Sequence, residues 1–485
     1  MSFNPNLTYF VERLQGISTN TFRLETQNQT TAKSGQIVSF DLPSNAIINL
    51  RSLKVWCNAT ANAGAAAAGG RLPPINELVE RVEVSVGGIV LSQGTMYVNL
   101  LNAIMKALDD NEYDDAVTGH PEIVRQTSYV DGSTYAATAN EDYSTLYDGV
   151  TNLFCIDKFK GFISSADPKL IDTSILPDCR VRLYLAEDAV CMTTDAVGIG
   201  DGAAESGALS TGAGLKGFCN ANGPGGVKFQ LSDLHATIEV IGLASTAYDA
   251  MLSAQMSQAG FLEIPYKDYT SFQNVHDNNG STRFTVSTQS LDRVWVAWRK
   301  NNFDQRCPVI VNGYKKQGGF ITGEFVGTVQ DTRTTRDIGL PQYDVGGVLG
   351  TNEEKYLSQY FNFYQGDNSG MKMQLQLNGA YLPQFPANLG ELYGMTKNSL
   401  PASRKCKQIT FDQYLYNYCV QAFRLNLPDS EYSRTISGLD TRAVNLQAVV
   451  KTTDTVGATT KVCNIFTEST STLRVGPGRS VEVIA

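Results

Sequence analysis

Hydrophobic and polar positions alternate with a period of two along much of this chain, the mark of strands that bury one face. Arg180-Val181-Arg182-Leu183-Tyr184-Leu185 alternates strictly, and 37–42, 47–57, 235–241 and 283–299 are further β-type runs. Pro43-Ser44-Asn45 separates the first two of these. Val444, Leu446, Ala448 and Val450 predict a late strand, and Val481 and Val483 another after it. Shorter strand-like islands fall at 152–156 and 159–163, inside a loop-like stretch over 116–175. Helical spacing is confined to a few places. Leu7, Phe10, Val11 and Leu14 predict a short amphipathic helix that must dock on something, and Tyr97, Leu100, Leu101, Ile104 and Leu108 predict a second. A third bridges the middle of the chain, with Thr246 and Asp249 as a capping pair and Gly260 ending it. Its apolar side carries Tyr248, Met251, Leu252 and Met256. Thr410-Phe411-Asp412-Gln413 reads as a capping box for a helix reaching Arg424.

Two of these patterns occur twice. Ser52-Leu53-Lys54-Val55-Trp56 returns, more than two hundred residues on, as Ser290-Leu291-Asp292-Arg293-Val294-Trp295, with two of the chain's tryptophans at matching places. Val82-Glu83-Val84-Ser85-Val86-Gly87-Gly88-Ile89-Val90-Leu91 returns as Met373-Gln374-Leu375-Gln376-Leu377-Asn378-Gly379-Ala380-Tyr381-Leu382. Each reads strand, tight turn, strand, and a helical stretch follows each. The second offset exceeds the first by the length of a turn-rich insert over 300–350. A β domain present twice accounts for both echoes, and the strand count of roughly eight per half is the size of a jelly roll. The expected fold is therefore all-β with a few short helices: two tandem eight-stranded jelly rolls. Its boundaries are an N-terminal arm over 1–35, a first roll over 36–243, a linking helix over 244–260 and a second roll over 261–485. Segments 59–70 and 189–227, rich in Gly and Ala, predict exposed loops.

Composition narrows the function. At 485 residues the chain exceeds one ordinary core. Only 18% of residues are charged, so much of the surface is either uncharged polar or covered by partners. A net charge of −9, with no basic run beyond Arg404-Lys405-Cys406-Lys407, argues against sequence-specific or bulk nucleic-acid binding through phosphate neutralisation. Nine cysteines, at 57, 155, 179, 191, 219, 307, 406, 419 and 463, are odd in number and never in CxxC spacing. That argues against a disulfide framework or structural zinc and for folding in a reducing host cytoplasm. Met-Ser-Phe-Asn-Pro-Asn has the look of neither a signal peptide's charged start nor its apolar core, and no apolar run is long enough to predict a membrane-spanning helix.

No catalytic, cofactor-binding or metal-binding residue is expected. His120, His235 and His276 have no ligand-type neighbours in sequence. Asp109, Asp110, Glu112, Asp114 and Asp115 lack the alternating oxygens and central glycine of a calcium loop, and as paired carboxylates for glycoside hydrolysis they are a weak signal beside a solvated helix end. Gly198-Ile199-Gly200-Asp201-Gly202 and Gly212-Ala213-Gly214-Leu215-Lys216-Gly217 are not phosphate-binding loops by pattern or context. The sequons at Asn6, Asn28, Asn58 and Asn279 would stay unmodified in a cytoplasm.

Three stretches carry a family resemblance: Phe261-Leu262-Glu263-Ile264-Pro265-Tyr266, Thr288-Gln289-Ser290-Leu291-Asp292-Arg293-Val294, and Ser437-Gly438-Leu439-Asp440-Thr441-Arg442, with the strand–helix junction over 240–260. On these the chain resembles the double jelly-roll major capsid proteins of polinton-like viruses and virophages, and more distantly those of giant DNA viruses and adenovirus hexon. The resemblance covers 36–485. It implies a homotrimer forming a pseudo-hexameric capsomer in the icosahedral capsid of a DNA virion. Neighbouring capsomers, penton and minor capsid proteins, and an internal membrane reached through the N-terminal arm are the implied partners. It implies no enzyme activity and no cofactors. Two other classes compete: a glycan-binding viral fibre or receptor-binding protein, and a two-domain carbohydrate-active enzyme. Twenty-two dispersed tyrosines lack the clustered platform of the first. Trp56 and Trp295, inside strand runs at equivalent places, read as core rather than as the flanks of the second's cleft.

Overall fold

The computed structural model describes residues 17–62, 75–92, 96–108, 153–186, 228–243, 246–276, 279–300, 314–317, 320–325, 370–400, 411, 414, 420–427, 436–442, 446–453 and 461–484. The first half holds strands β1 Ile17–Glu25, β2 Ala32–Lys33, β3 Ile37–Asp41, β4 Ile47–Asn62, β5 Val79–Val86, β6 Ile89–Val90, β7 Leu153–Ile156, β8 Leu170–Asp172, β9 Cys179–Leu185 and β10 Lys228–Leu243. They form two sheets, β1-β10-β4-β7 (with β2 on β10 and β8 on β4) and β3-β9-β5-β6. Alternation decides which faces meet. In β9 every second residue is buried, and Val181 and Leu183 face Leu53, Val55 and Ile238 of the other sheet in one core.

The second half holds β11 Leu262–His276, β12 Gly280–Val286, β13 Leu291–Lys300, β14 Tyr314–Gln317, β15 Phe320–Phe325, β16 Lys372–Leu377, β17 Ala380–Asn388, β18 Val420–Arg424, β19 Leu446–Thr453, β20 Lys461–Gly476 and β21 Ser480–Ile484. Its two large sheets are β11-β20-β13-β18 (with β21 on β20) and β12-β19-β16-β17, while β14 and β15 pair as a separate hairpin. Phe284, Val294, Val296, Trp298, Leu375, Val450 and Ile465 fill the space between the two sheets. The strand orders of the halves match place for place, β1 with β11, β10 with β20, β4 with β13, β7 with β18, and likewise in the facing sheets. The molecule is a double jelly roll.

Four helices are described: α1 Val98–Leu108, α2 Phe162–Ser165, α3 Thr246–Ala259 and α4 Leu389–Ser399. α3 joins the rolls and stops where Gly260, at φ 76°, takes the left-handed turn that glycine tolerates. Both hairpins seen in the sequence are present. Gly87 and Gly88 at φ 58° and 85°, and Asn378 and Gly379 at φ 44° and 89°, supply the paired positive φ of a tight two-residue turn. α1 follows the first hairpin and α4 the second.

Several expectations need correction. The span 1–35, read as an arm, contains β1, whose residues pair with β10 from Ile17↔Leu243 to Glu25↔His235. The backbone ladder claims this polar strand although its side chains offer little apolar alternation. β4 and β10 run on together into 59–62, inside a segment read as a loop, and 228–230, just past another, because each supplies the other's hydrogen bonds. The island at 159–163 becomes the start of α2, since Gly161 at φ 77° breaks the extended run. Residues 420–424 are a strand rather than the end of a helix: they pair with β13 at the edge of the sheet, and Val420, Ala422 and Phe423 are all buried. A capping box is present at Asn388, whose side chain and that of Glu391 bond each other's backbone N–H, while Thr410, Asp412 and Gln413 of the expected box lie outside the described residues. The helix expected at 1–16, the acidic run 109–115, both glycine-rich loops and the side chains of the Thr246–Asp249 pair lie outside the described residues.

Candidate functional site

Trp56 and Trp295 stand at the same node of the two sheets. Trp56 lies between His235 on β10 and Cys155 on β7, and Trp295 between Phe466 on β20 and Ala422 on β18. The repeat extends to a side-chain hydrogen bond. Trp56 Nε1 donates to Thr237 Oγ1 at 2.9 Å, and Trp295 Nε1 donates to Glu468 Oε2 at 3.1 Å. Thr237 and Glu468 are matching positions too, opposite Lys54 and Arg293. Both indoles lie on the outer face of their sheet, away from the sandwich core.

Their surroundings differ. Trp295 is 1% exposed: Leu100, Leu101, Ile104 and Met105 of α1, reaching over from the first roll, and Leu400 and Tyr414 of the second pack with Trp295, Ala297, Tyr269 and Phe466. Around Trp56, which is half-buried, the matching positions hold Asn58, Arg23 and His235. The expectation that both tryptophans are core is met by Trp295 alone. Parity points both outward, with Leu53, Val55 and Cys57 on the inward face of β4 and Val294 and Val296 on that of β13, and only Trp295 has α1 packed over it.

A second contact fuses the rolls. The ends of β11 and β20 project beyond their own sandwich, and Ile264, Tyr266, Leu473 and Val475 join the first roll's core. Tyr266 Oη donates to the Leu91 carbonyl at 2.8 Å, and its ring meets Phe162 edge-on at 5.3 Å. Asp268 accepts from Ser92 Oγ and from the Tyr269 amide. Burial pushes the Asp268 carboxyl above its usual range, against the pull of those two bonds.

Beside this contact three stretches converge on Asp292, which is 2% exposed: the second and third of those carrying the resemblance, and Lys267, one residue past the first. Its carboxylate accepts from Lys267 Nζ at 2.6 Å, Thr470 Oγ1 at 2.5 Å and Ser290 Oγ at 2.8 Å. The 437–442 stretch docks alongside through reciprocal Leu291–Leu439 backbone bonds at 2.9 and 3.0 Å, and the Thr441 amide donates to the Thr288 carbonyl. Gly438 sits where any side chain would collide: an added Cβ would lie 2.2 Å from Ser290 Oγ, 2.4 Å from Asp292 Oδ1 and 2.7 Å from the Leu291 carbonyl. One residue on, Arg293 Nη1 pairs with Glu468 Oε1 at 2.8 Å with both side chains buried, while Arg293 Nε donates to the Ser399 carbonyl at the end of α4. These groups are mutually neutralised and hydrogen-bonded, an arrangement that holds loops together. Sequence reasoning missed the convergence, since nothing in separate stretches announces that they meet.

The remaining candidates are dispersed. His235 is half-buried on β10 with Nδ1 2.9 Å from the Asp233 carbonyl, and the side chain of His276 and all of His120 lie outside the described residues. Among the described residues no group of His, Cys, Asp and Glu could hold a metal ion, and no helix is long and apolar enough to cross a membrane. Cys57, Cys155, Cys179 and Cys463 are buried and not in disulfides, with Cys179 pushed up to about 12 by burial and the nearby Asp178. Asn28, in one of the sequons, donates to the Ile37 carbonyl at 2.6 Å.

No protein-family model and no curated protein matches the chain. Solved structures do. PBCV-1 VP54, fitted into a cryo-EM reconstruction of the virophage Sputnik, is 12% identical with a TM-score of 0.55, over 99% of each chain. A quasi-atomic model of the PBCV-1 virus capsid is 12% identical with a TM-score of 0.53, again over 99% of each. The Faustovirus major capsid protein is 10% identical with a TM-score of 0.52, over 98% of this chain and 93% of that one. The fold is the one these capsid proteins have, along nearly its whole length.

Proposed function

We propose that the protein is a major capsid protein, a structural subunit whose trimers form pseudo-hexameric capsomers in the icosahedral shell of a DNA virus. The observation that carries this is the pairing of two rolls of matching topology in one chain, in a fold shared end to end with capsid proteins of large viruses. Two similar rolls side by side give a block that three copies can close by rotation into a near-hexagonal tile. The chain is divided accordingly into the first roll to residue 243, the linking helix and the second roll from 261, with 1–16 as the arm. Its place is the virion, after folding in the host cytoplasm. Its partners are neighbouring capsomers, penton and minor capsid proteins, and an internal membrane reached by the arm. No catalytic role, cofactor or metal is assigned to it.

Electron microscopy and mass photometry of the purified, tag-free protein test this. Particles near three times 52.7 kDa with a hexagonal outline, or closed shells, are the expected result. A monodisperse, well-folded monomer at micromolar concentration would overturn it.

A further inference from the structure

Where the second roll's sheet reaches past its own sandwich, it becomes a three-stranded tongue of β11, β20 and β21 with one apolar face. Leu262, Val475 and Val481 stand side by side across it, and Ile264, Leu473 and Val483 form the next row. That face lies on the first roll. Ile264, Leu473 and Val475 are buried in the first roll's core, and Leu262, Val481 and Val483 are partly buried against it. Polar contacts seat the tongue at both sides. The Asp167 amide donates to the Pro265 carbonyl at 3.0 Å, the Lys267 amide to Ser165 Oγ at 2.8 Å, and Arg479 Nη2 to Asn45 Oδ1 at 3.1 Å. Val481 sits against the first hairpin: a Cβ added at Gly87 would lie 2.6 Å from Pro177 Cγ and 3.5 Å from Val481 Cγ2. The matching rows of the first roll, Ser18 opposite Gly242 and Asn20 opposite Val240, carry polar side chains on β1 that stay exposed. The repeat alone therefore does not call for this apolar face.

Dependence between the rolls is one-sided. Among the described residues, the core between the second roll's sheets takes all its buried members from that roll, whereas the first roll's core includes Ile264, Tyr266, Leu473 and Val475 of the second. The helix α1, lent in the other direction, covers an outer face at Trp295 and leaves the second sandwich filled by its own side chains. We propose that the tongue is a latch: the first roll closes only when β21 seats on it, so the roll made first waits for the roll made second. Burial of apolar surface is the main term that closes a sandwich, and withdrawing this face opens one side of the first core to water. Domains as a rule fold in the order of their synthesis, and here one step runs in reverse. β21 is the part that decides, because it is short and pairs with β20 alone. Its release costs the fewest contacts, so the first roll opens from there while the second stays shut. A chain that stops short of β21 leaves its first sandwich open.

Buried thiols report on each roll separately. Cys57, Cys155 and Cys179 lie in the first roll, and Cys463 lies in the core of the second. The double substitution Val481→Asp with Val483→Asp is compared, in the full chain, with the wild type and with Glu482→Gln, which alters the exposed face of the same strand. Alkylation at pH 8, read thiol by thiol by mass spectrometry, is expected to run at least tenfold faster at the three first-roll thiols of the double variant. Cys463 should stay within twofold of the wild type, and Glu482→Gln should match the wild type throughout. If the aspartate pair does not accumulate as folded protein, Val481→Ala with Val483→Ala removes the same contacts without adding charge and is read by the same contrast. First-roll thiols no faster than in the wild type overturn the latch. So does Cys463 quickened along with them, which would show the rolls opening as one. The reciprocal variant Leu375→Ala, inside the second sandwich, is expected to quicken Cys463 and the first-roll thiols together, because a loosened second roll withdraws the tongue. Cys463 quickened alone in that variant would also overturn the proposal.

Discussion

Truncating Asp292 to alanine isolates the buried junction. The substitution removes the acceptor of three donors: Ser290 Oγ, wholly buried, Thr470 Oγ1, and Lys267 Nζ, whose side chain is 23% exposed. A buried donor left without an acceptor costs about 1–3 kcal/mol, and breaking one side of a buried ion pair about 3–5 kcal/mol. Lys267 can turn its ammonium partly to water, which favours the lower end. The expected loss is about 3–4 kcal/mol in the second roll, or on the order of 6–16 °C in Tm for a domain of roughly 200 residues. Scanning calorimetry at fixed protein concentration reads it, since any association raises the apparent stability and the two rolls need not melt together. The double substitution Lys267→Met with Asp292→Leu removes both charges and should recover at least half the loss. A loss under about 1 kcal/mol for Asp292→Ala, or a double variant no better than the single, would refute the view that this carboxylate holds the three stretches together.

Other consequences can be checked separately. Gly438→Ala must displace the Leu291 carbonyl or the Ser290 and Asp292 side chains, so a destabilisation of about 1–3 kcal/mol is expected in denaturant melts; an unchanged midpoint would count against a tight fit. Asp268 binds its proton more tightly in the folded protein than in the unfolded chain, so its contribution favours the fold at low pH and is lost as pH climbs through and above the ordinary carboxylate range. Stability of the wild type relative to Asp268→Asn should therefore fall as pH rises above the ordinary carboxylate value of about 4, as read by melts from acid to neutral pH; a rise would show the sign to be wrong. Cys57, Cys155, Cys179 and Cys463 are inaccessible and, where burial raises them, hard to ionise, so native protein at pH 8 should resist alkylation at these four thiols until it unfolds, by mass spectrometry.

The two-roll plan was legible because its signals are local. Alternation marked β9 and β10, Gly87-Gly88 and Asn378-Gly379 marked the hairpins, and the repeated Trp56 and Trp295 runs marked the duplication. What escaped was decided across distance. β1 carries no strong alternation, and only its pairing with β10 makes it a strand. Val420–Arg424 is apolar enough for either state, and it is a strand because β13 lies beside it. The Asp292 junction gathers residues from 267, 290, 438 and 470, none of which stands out in its own window. Nor did the sequence distinguish the buried Trp295 from its half-exposed twin, because the difference is made by a helix contributed from the other roll.

The pairing of β1 with β10 and of β11 with β20 also sets a timetable for the ribosome. Each roll's principal sheet is completed by a strand near the end of that half, so β1 emerges roughly 200 residues before its partner does, a wait on the order of ten to forty seconds at about 5–20 residues per second. During that interval β4, destined for the middle of the sheet, has an open edge, and the nascent first roll is a half-closed sandwich exposed to every other nascent copy on the same message. At high expression the chain would meet this hazard at high local concentration. Its yield in cells should therefore depend on the speed of translation through residues 25–228 as much as on the stability of the finished fold.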